Sequence, residues 1–330
     1  VGEQSCNIAR QAWLWPGDNL QVGAVSLDCQ CGSGHQAVHV ANSLVQSGAY
    51  DVAIGSGIEQ MSHVSMGANF ANGPGHPYPE PWPWDDPRSQ FEAVTRICKN
   101  RGITKEECDQ MAFESQAKAI AATEAGKFKK EIIPVEAPIV GEDGKLTGET
   151  RLVDRDQGLR ATKLEDLANL KTFDSGGFVS AATASQISDG SSSVLIMTAE
   201  KAKELGLTPR ARIKAGVLVG SDPYYVLDGP VDATKAVLKK AGMNINDIDL
   251  YEVNEAFAGV TLSWCRVFDP DMSRLNVNGG AMALGHPVAS TGPRMIATAL
   301  HELERTGKSN ALITMCCGSS VGTASIIERI

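Results

Sequence analysis

VGAVSLDCQCGSGHQAVHVANSLVQSGAYDVAIGSG, residues 22–57, is the stretch that decides the fold. Residues 22–31 are rich in β-branched and apolar side chains, and Gly32-Ser33-Gly34 then breaks the run, which predicts a strand closed by a glycine turn. Val38, Ala41 and Val45 next recur on one helical face as far as Gly48, and DVAIGSG (51–57) reads as a short buried strand. Strand, helix and strand in this order predict a parallel unit with a right-handed crossover. Cys31 falls where strand meets helix.

Near the other end the plan returns. LNVNGGAMALGHP leads into a helical stretch from about Arg294 to Arg305, and Gly307 precedes the strand-like ALITMCCG (311–318). Two glycine-bounded helices of similar length, each followed by a strand, point to an internal duplication. A pseudo-twofold between the halves makes the start of the first helix, at Cys31, and the loop before the second, at His286, equivalent places that converge on one site. Between the halves, residues 67–90 carry six prolines and two tryptophans and predict an ordered connector or lid rather than regular helix. A polar-faced helix is expected over 105–129, then the turn-rich GEDGKLTGE. Segment 191–205 reads as a buried strand running into a helix, 230–242 as a helix with Pro near its start and Gly at its end, and 247–253 as a buried strand.

The chain has 330 residues, 42% hydrophobic and 21% charged, with a formal net charge of −9. That is long for one core and favours a large domain or two fused halves. No run reaches the roughly 18 apolar residues of a membrane span, and the negative balance without a basic stripe excludes a nucleic-acid face. The eight cysteines, two adjacent and two separated by one residue, do not form a secreted disulfide framework. A reducing cytoplasm is expected. Val1 opens in what reads as the middle of a domain, so an organellar signal stays open.

Four short motifs carry chemistry. Cys31 at a helix N-terminus is expected to have its thiol pKa lowered by unpaired N–H groups, and Gly32 and Gly34 let a ligand approach the backbone. His286, between Gly285 and Pro287, is held by a rigid loop, as a base set against a thiol must be. Cys316-Cys317-Gly318 ends a buried strand, where sites in α/β folds collect. Asn254-Glu255-Ala256-Phe257 follows a strand and either caps a helix or turns its polar groups into a site. A zinc site from Cys29, Cys31, Cys316 and Cys317 lacks the usual ligand spacing, and no Gly-x-Gly run has the full dinucleotide pattern. No metal is expected.

In this order the four motifs resemble those of the thiolases, and the similarity extends over essentially the whole chain, with roughly the first fifty residues of a typical member lacking. The resemblance implies two similar βαβ-containing halves packed as a five-layered α/β/α/β/α sandwich with an inserted loop domain. The divisions expected are 1–66 for the N-terminal half, 67–178 for the loop domain, 179–210 for the return of the N-terminal half and 211–330 for the C-terminal half.

The resemblance also implies roles. Cys31 matches the nucleophile, His286 the histidine that activates it, and Cys316 the cysteine that moves a proton to and from the substrate α-carbon. Asn254 matches the asparagine whose water, with His286, forms one oxyanion hole; the N–H groups of Cys31 and Gly318 form the other. Ser185 matches a serine near the pantetheine arm of CoA, and Arg160 a basic residue near its nucleotide end. Cys317 stands where the family usually has an apolar residue, and Ala289 and Pro293 where it usually has Gly and Ala.

The activity so implied is reversible Claisen chemistry: cleavage of a 3-ketoacyl-CoA by CoA through a cysteine thioester, giving acetyl-CoA or propionyl-CoA and a shortened acyl-CoA. CoA is then a co-substrate, and no permanently bound cofactor is expected. Thr183, where many biosynthetic members have Asn, favours the degradative direction. The stretches 67–90 and RDQGLRATKLEDL look most like bacterial thiolases of lipid and steroid side-chain breakdown. A biosynthetic acetoacetyl-CoA thiolase and a thiolase-like lipid carrier without catalysis are the alternatives. A homodimer or homotetramer and a β-oxidation hydratase/dehydrogenase partner are also expected from the family.

Overall fold

The computed structural model describes residues 4–17, 19–71, 75 and 78–330. In chain order its elements are α1 (Ile8–Leu14), α2 (Ser33–Gln46), β1 (Val52–Gln60), α3 (Ala68–Ala71), α4 (Gln90–Arg101), α5 (Lys105–Glu124), β2 (Val135–Val140), β3 (Leu146–Val153), α6 (Leu164–Ala168), β4 (Asp189–Met197) and α7 (Ala199–Glu204). The second half adds β5 (Ala211–Gly220), α8 (Gly229–Ala241), β6 (Leu250–Val253), α9 (Ala258–Phe268), α10 (Ala281–Leu284), α11 (Thr291–Thr306), β7 (Asn310–Cys317) and β8 (Val321–Arg329).

Two sheets frame the site. β1 and β4 pair antiparallel, and a four-stranded sheet runs in the order β5-β8-β7-β6, with β6 and β7 parallel and the other pairs antiparallel. α2 and α11 pack side by side between the sheets, while α8 covers the far side of the larger one and α9 packs against α8 and α4. Strands covered on both faces read as continuous apolar runs. In β7, Leu312 and Cys316 face the cluster that contains Trp264 and Val237, whereas Ala311 and Ile313 face Val38, Met295 and Leu303.

Local sequence accounts for the helix ends. Thr104 and Glu107 form a reciprocal capping box on α5, and Ser89 caps α4. Gly242 and Gly307 end α8 and α11 in the left-handed conformation, at φ 65° and 68°.

The duplicated plan appears as a reciprocal contact at the second residues of α2 and α11. A Cβ on Gly34 would stand 2.1 Å from the Ala289 carbonyl oxygen and 2.7 Å from Pro293 Cδ, and one on Gly292 would stand 2.5 Å from His35 Cβ. Only two glycines let the helix starts cross this closely. The contact seats the 286–290 loop beside the first turn of α2.

Three expectations change. Residues 22–28 are not a strand: no strand pairs with them among the described residues, and most of their side chains are exposed, so apolar content alone misled. The 51–57 and 191–197 strands exist as parts of β1 and β4, but they pair antiparallel with each other, and both alternate between exposed and more buried residues rather than being fully buried. GEDGKLTGE is the turn and second strand of the β2–β3 hairpin. Within 67–90, one helical turn (Ala68–Ala71) precedes irregular chain; residues 72–74 and 76–77 lie outside the described residues, as do 1–3 and 18.

Gly34→Ala, whose clash is with backbone that cannot rotate away, is expected to destabilise the fold by about 1–3 kcal/mol. Gly220→Ala, which meets nothing within 4 Å, is expected to stay within about 0.5 kcal/mol. Chemical denaturation of the two variants checks this.

Candidate active site

The turn that carries Cys31 is built by its own side chains. The N–H of Cys29 donates to Ser33 Oγ at 2.9 Å, and Ser33 Oγ donates to the Gln30 carbonyl at 2.7 Å, folding 30–32 into a 3₁₀ turn ahead of α2. Gln30, at φ 49°, reaches across to Ser319, its Nε2 donating to Oγ at 2.5 Å. The turn is thereby tied to the residues that follow β7. Cys31 is buried at 9% exposure, and two backbone N–H groups, its own and that of Gly318, hydrogen-bond to its sulfur.

Those donors favour a thiolate, but burial outweighs them and pushes the Cys31 thiol up to about 11, with smaller raising contributions from Cys29 and Glu59. The helix N-terminus was expected to lower it. Cys31 sits one residue outside the Gly32 N-cap of α2, and desolvation of a buried anion dominates. Cys316, the penultimate residue of β7, is likewise buried; its thiol is raised first by burial and second by the nearby Cys31 charge.

His286 is buried at the end of the α10 loop, its N–H donating to the Gln186 carbonyl at 3.2 Å. Its Nδ1 lies 2.6 Å from Thr291 Oγ1, and that oxygen is 3.1 Å from the Pro287 carbonyl. A carbonyl only accepts, so the Thr291 hydroxyl donates to Pro287 and accepts from His286 Nδ1–H. The lone pair is left on Nε2, where the Asn254 Nδ2 group donates at 3.4 Å. Burial first, and then the Arg294 charge, push His286 down to about 4. No hydrogen bond joins it to Cys31 among the described residues. The resting pair is a neutral imidazole and a neutral thiol.

Asn254, directly after β6, is buried, and its Oδ1 has no hydrogen-bond partner. Glu255 is not a helix cap. Its carboxylate accepts from Ser115 Oγ at 2.5 Å, from Asn276 Nδ2 at 2.7 Å and from the Met282 N–H at 3.4 Å, so it fastens α5 to the segment leading to His286. Ser185 is half-buried and joined to this motif through backbone, its N–H donating to the Ala256 carbonyl at 2.9 Å. Arg160 is exposed, and its backbone N–H donates to Gln116 Oε1 at 2.9 Å. Gln116 in turn donates to the Met282 carbonyl at 3.2 Å. The chain therefore ties Arg160 to the histidine loop only through intermediaries.

Thr291, Gln30, Gln186 and Gln116 are the positioning residues that sequence reasoning missed. Thr291 follows His286 by five residues with a hydroxyl, a signal that was available; the glutamines act across long separations. A cavity of about 530 Å³ between α5 and residues 151–159, lined by Arg151, Asp154, Arg155 and Asp156 among others, includes none of Cys31, Asn254, His286, Cys316 and Gly318. Among the described residues, no group of three or more His, Cys, Asp or Glu side chains is arranged to hold a metal ion, and no helix is long and apolar enough to cross a membrane.

The thiolase N-terminal domain model matches residues 2–200, and the thiolase C-terminal domain model matches 207–329. Among curated relatives, a steroid 3-ketoacyl-CoA thiolase of Mycobacterium tuberculosis is 38% identical over 100% of this chain and 81% of its own length. A 3-ketoacyl-CoA thiolase of Aliivibrio salmonicida is 41% identical over 99% of this chain and 84% of its own. Among solved structures, the Bacillus anthracis acetyl-CoA acetyltransferase aligns with a TM-score of 0.87 at 33% identity, covering 100% of this chain and 84% of that one. The human mitochondrial 3-ketoacyl-CoA thiolase gives 0.85 at 33% identity, covering 97% and 82%. With the two domain models together matching nearly the whole chain and its fold shared with solved members, the chain belongs to the thiolase family.

Proposed function

We propose that this enzyme cleaves 3-ketoacyl-CoA with CoA through a thioester on Cys31, working in the degradative direction. The observation that carries the reading is the Cys31 sulfur itself, buried beneath the N–H groups of Cys31 and Gly318 with the Cys316 thiol close by. The relatives named as 3-ketoacyl-CoA thiolases support the substrate class.

In this mechanism the substrate's 3-keto carbon meets Cys31 as the thiol proton passes to His286 Nε2, the nitrogen that carries the lone pair. The same nitrogen, once protonated, donates to the oxyanion that forms, beside Asn254. One atom is thus base first and oxyanion donor next. Cleavage of the Cα–Cβ bond releases the enolate of acetyl-CoA, or of propionyl-CoA from a 2-methyl substrate, and Cys316 supplies the proton to its α-carbon. A second CoA thiol then gives its proton to the Cys316 thiolate and takes the acyl group from Cys31, whose departing sulfur regains its proton from His286, and the Cys31 and Gly318 N–H groups stabilise the tetrahedral oxyanion of that step. Arg160 and Ser185 serve CoA, at the nucleotide end and the pantetheine arm.

The raised thiol and the lowered imidazole have a purpose in this scheme. A neutral pair does not carry a standing thiolate, and the proton moves only when substrate charge develops in the same enclosure. A homo-oligomer and a hydratase/dehydrogenase partner belong to the proposal as family expectations, together with a cytoplasmic setting.

Incubation with a 3-ketoacyl-CoA is expected to leave an acyl mass on Cys31. Cys31→Ser should lose that adduct and reduce thiolysis by about 10³-fold or more. Thiolysis at the wild-type rate by Cys31→Ser refutes the nucleophile, while absence of any adduct on the native protein favours a lipid carrier.

Because the Cys31 thiol is raised to about 11, its thiolate fraction grows with pH throughout the neutral range. Iodoacetamide labelling of Cys31, followed by peptide mass spectrometry, should accelerate about tenfold per pH unit between pH 7 and 9; a plateau near pH 7 contradicts the burial argument. Thr291→Val removes the partner that fixes the histidine tautomer and is expected to lower kcat by about tenfold or more with KM nearly unchanged, as steady-state thiolysis will show.

A further inference from the structure

Cys29 and Cys317 take no part in the mechanism above, yet the fold sets them against each other. A Cβ on Gly32 would stand 2.6 Å from Cys317 Sγ and 3.4 Å from Cys29 Sγ, so the missing side chain at position 32 leaves the space that both sulfurs border. The Cys317 thiol hydrogen-bonds to the Cys29 sulfur, and neither residue is in a disulfide. Cys29 is partly exposed while Cys317 has no exposed surface. The donated hydrogen bond holds Cys29 below the usual thiol range, against its partial burial and the Asp28 charge. A reachable sulfur set beside a second thiol is the arrangement that hydroperoxides oxidise.

We propose that Cys29 and Cys317 are a reversible redox switch, closed to a disulfide by hydroperoxide, that shuts the Cys31 site. Cys29 sulfur attacks one peroxide oxygen; an S–O bond forms, the O–O bond breaks, and the departing hydroxide leaves as water after taking a proton. The Cys317 sulfur then attacks the sulfenic sulfur; the S–S bond forms, the S–O bond breaks, and a second water leaves with the Cys317 proton. Two thiols lose two electrons, and one hydrogen peroxide becomes two waters. A dithiol reductant reverses the change.

Closure has a mechanical effect. A disulfide of about 2.05 Å is far shorter than a thiol–thiol hydrogen bond, so the 29–32 turn is drawn toward the end of β7. The N–H donors of Cys31 and Gly318 lie within two residues of the couple and move with it. Selectivity follows from access. Cys31 is buried and protonated at neutral pH. Cys98 and Cys108, a second hydrogen-bonded thiol pair, are both fully enclosed and serve as an internal control that stays reduced.

The test treats the whole protein with hydrogen peroxide, alkylates the remaining thiols, and maps peptides by mass spectrometry in parallel with thiolysis. The expected result is a crosslinked peptide pair joining Cys29 to Cys317, with thiolysis reduced about tenfold or more and restored by dithiothreitol. Cys29→Ser and Cys317→Val should keep basal thiolysis and lose the reversible inhibition. If Cys317→Val fails to fold, Cys29→Ser, at a partly exposed position, carries the test alone. The proposal is overturned if inhibition tracks a Cys31–Cys316 bridge or over-oxidised Cys31 while Cys29 and Cys317 remain alkylatable, or if the crosslink forms without loss of thiolysis. The crosslink is read by mass, so it stands or falls apart from the identity of the acyl-CoA.

Discussion

The architecture depends on two backbones crossing where no side chain intervenes. Gly34 and Gly292 occupy the second positions of α2 and α11, and each receives the neighbouring residue of the opposite helix. Dispersion and packing at such a crossing are strong because the separation is short, and intolerant for the same reason. The candidate site hangs from it. Cys31 precedes one helix and His286 the other, so the crossing converts two distant stretches of chain into one site. Both sheets then rest on this helix pair, which fixes how the halves face each other.

Enclosure sets the electrostatics of the site. The two N–H groups at Cys31 would lower a thiol pKa in an open setting, but here burial is the larger effect and the sulfur keeps its proton. His286 responds in the opposite direction, as a base must when its charged form is desolvated. A dry site strengthens the same hydrogen bonds once charge appears. Neutrality at rest and strong stabilisation of a transient oxyanion therefore have a single origin.

Much of this was legible in the order of residues. Cys31-Gly32-Ser33-Gly34, Asn254-Glu255-Ala256-Phe257, Gly285-His286-Pro287 and Cys316-Cys317-Gly318 each mark an element end, and glycine punctuation gave α2, α8 and α11 to within a few residues. What failed was burial and pairing. Residues 22–28 look like a strand because Val and Leu report hydrophobicity, whereas strand formation needs a partner. Nearest neighbours in sequence place Cys31 at a helix start but carry no measure of its desolvation, which is set by residues far along the chain. Glu255, Gln30 and Gln116 escaped because their partners lie far along the chain, and polarity alone does not say which backbone a side chain will hold.

Glu255 is the hub of an arrangement with a broader consequence. Through Ser115 it grips α5, and through Asn276 and Met282 it grips the approach to His286; Gln116 adds a second link from α5 to the Met282 carbonyl. α5 and the residues just before His286 are therefore held as one body, so a change that shifts this helix also displaces the histidine. A substitution far from the imidazole, on the far face of α5, can in this way be felt at the ring without touching it.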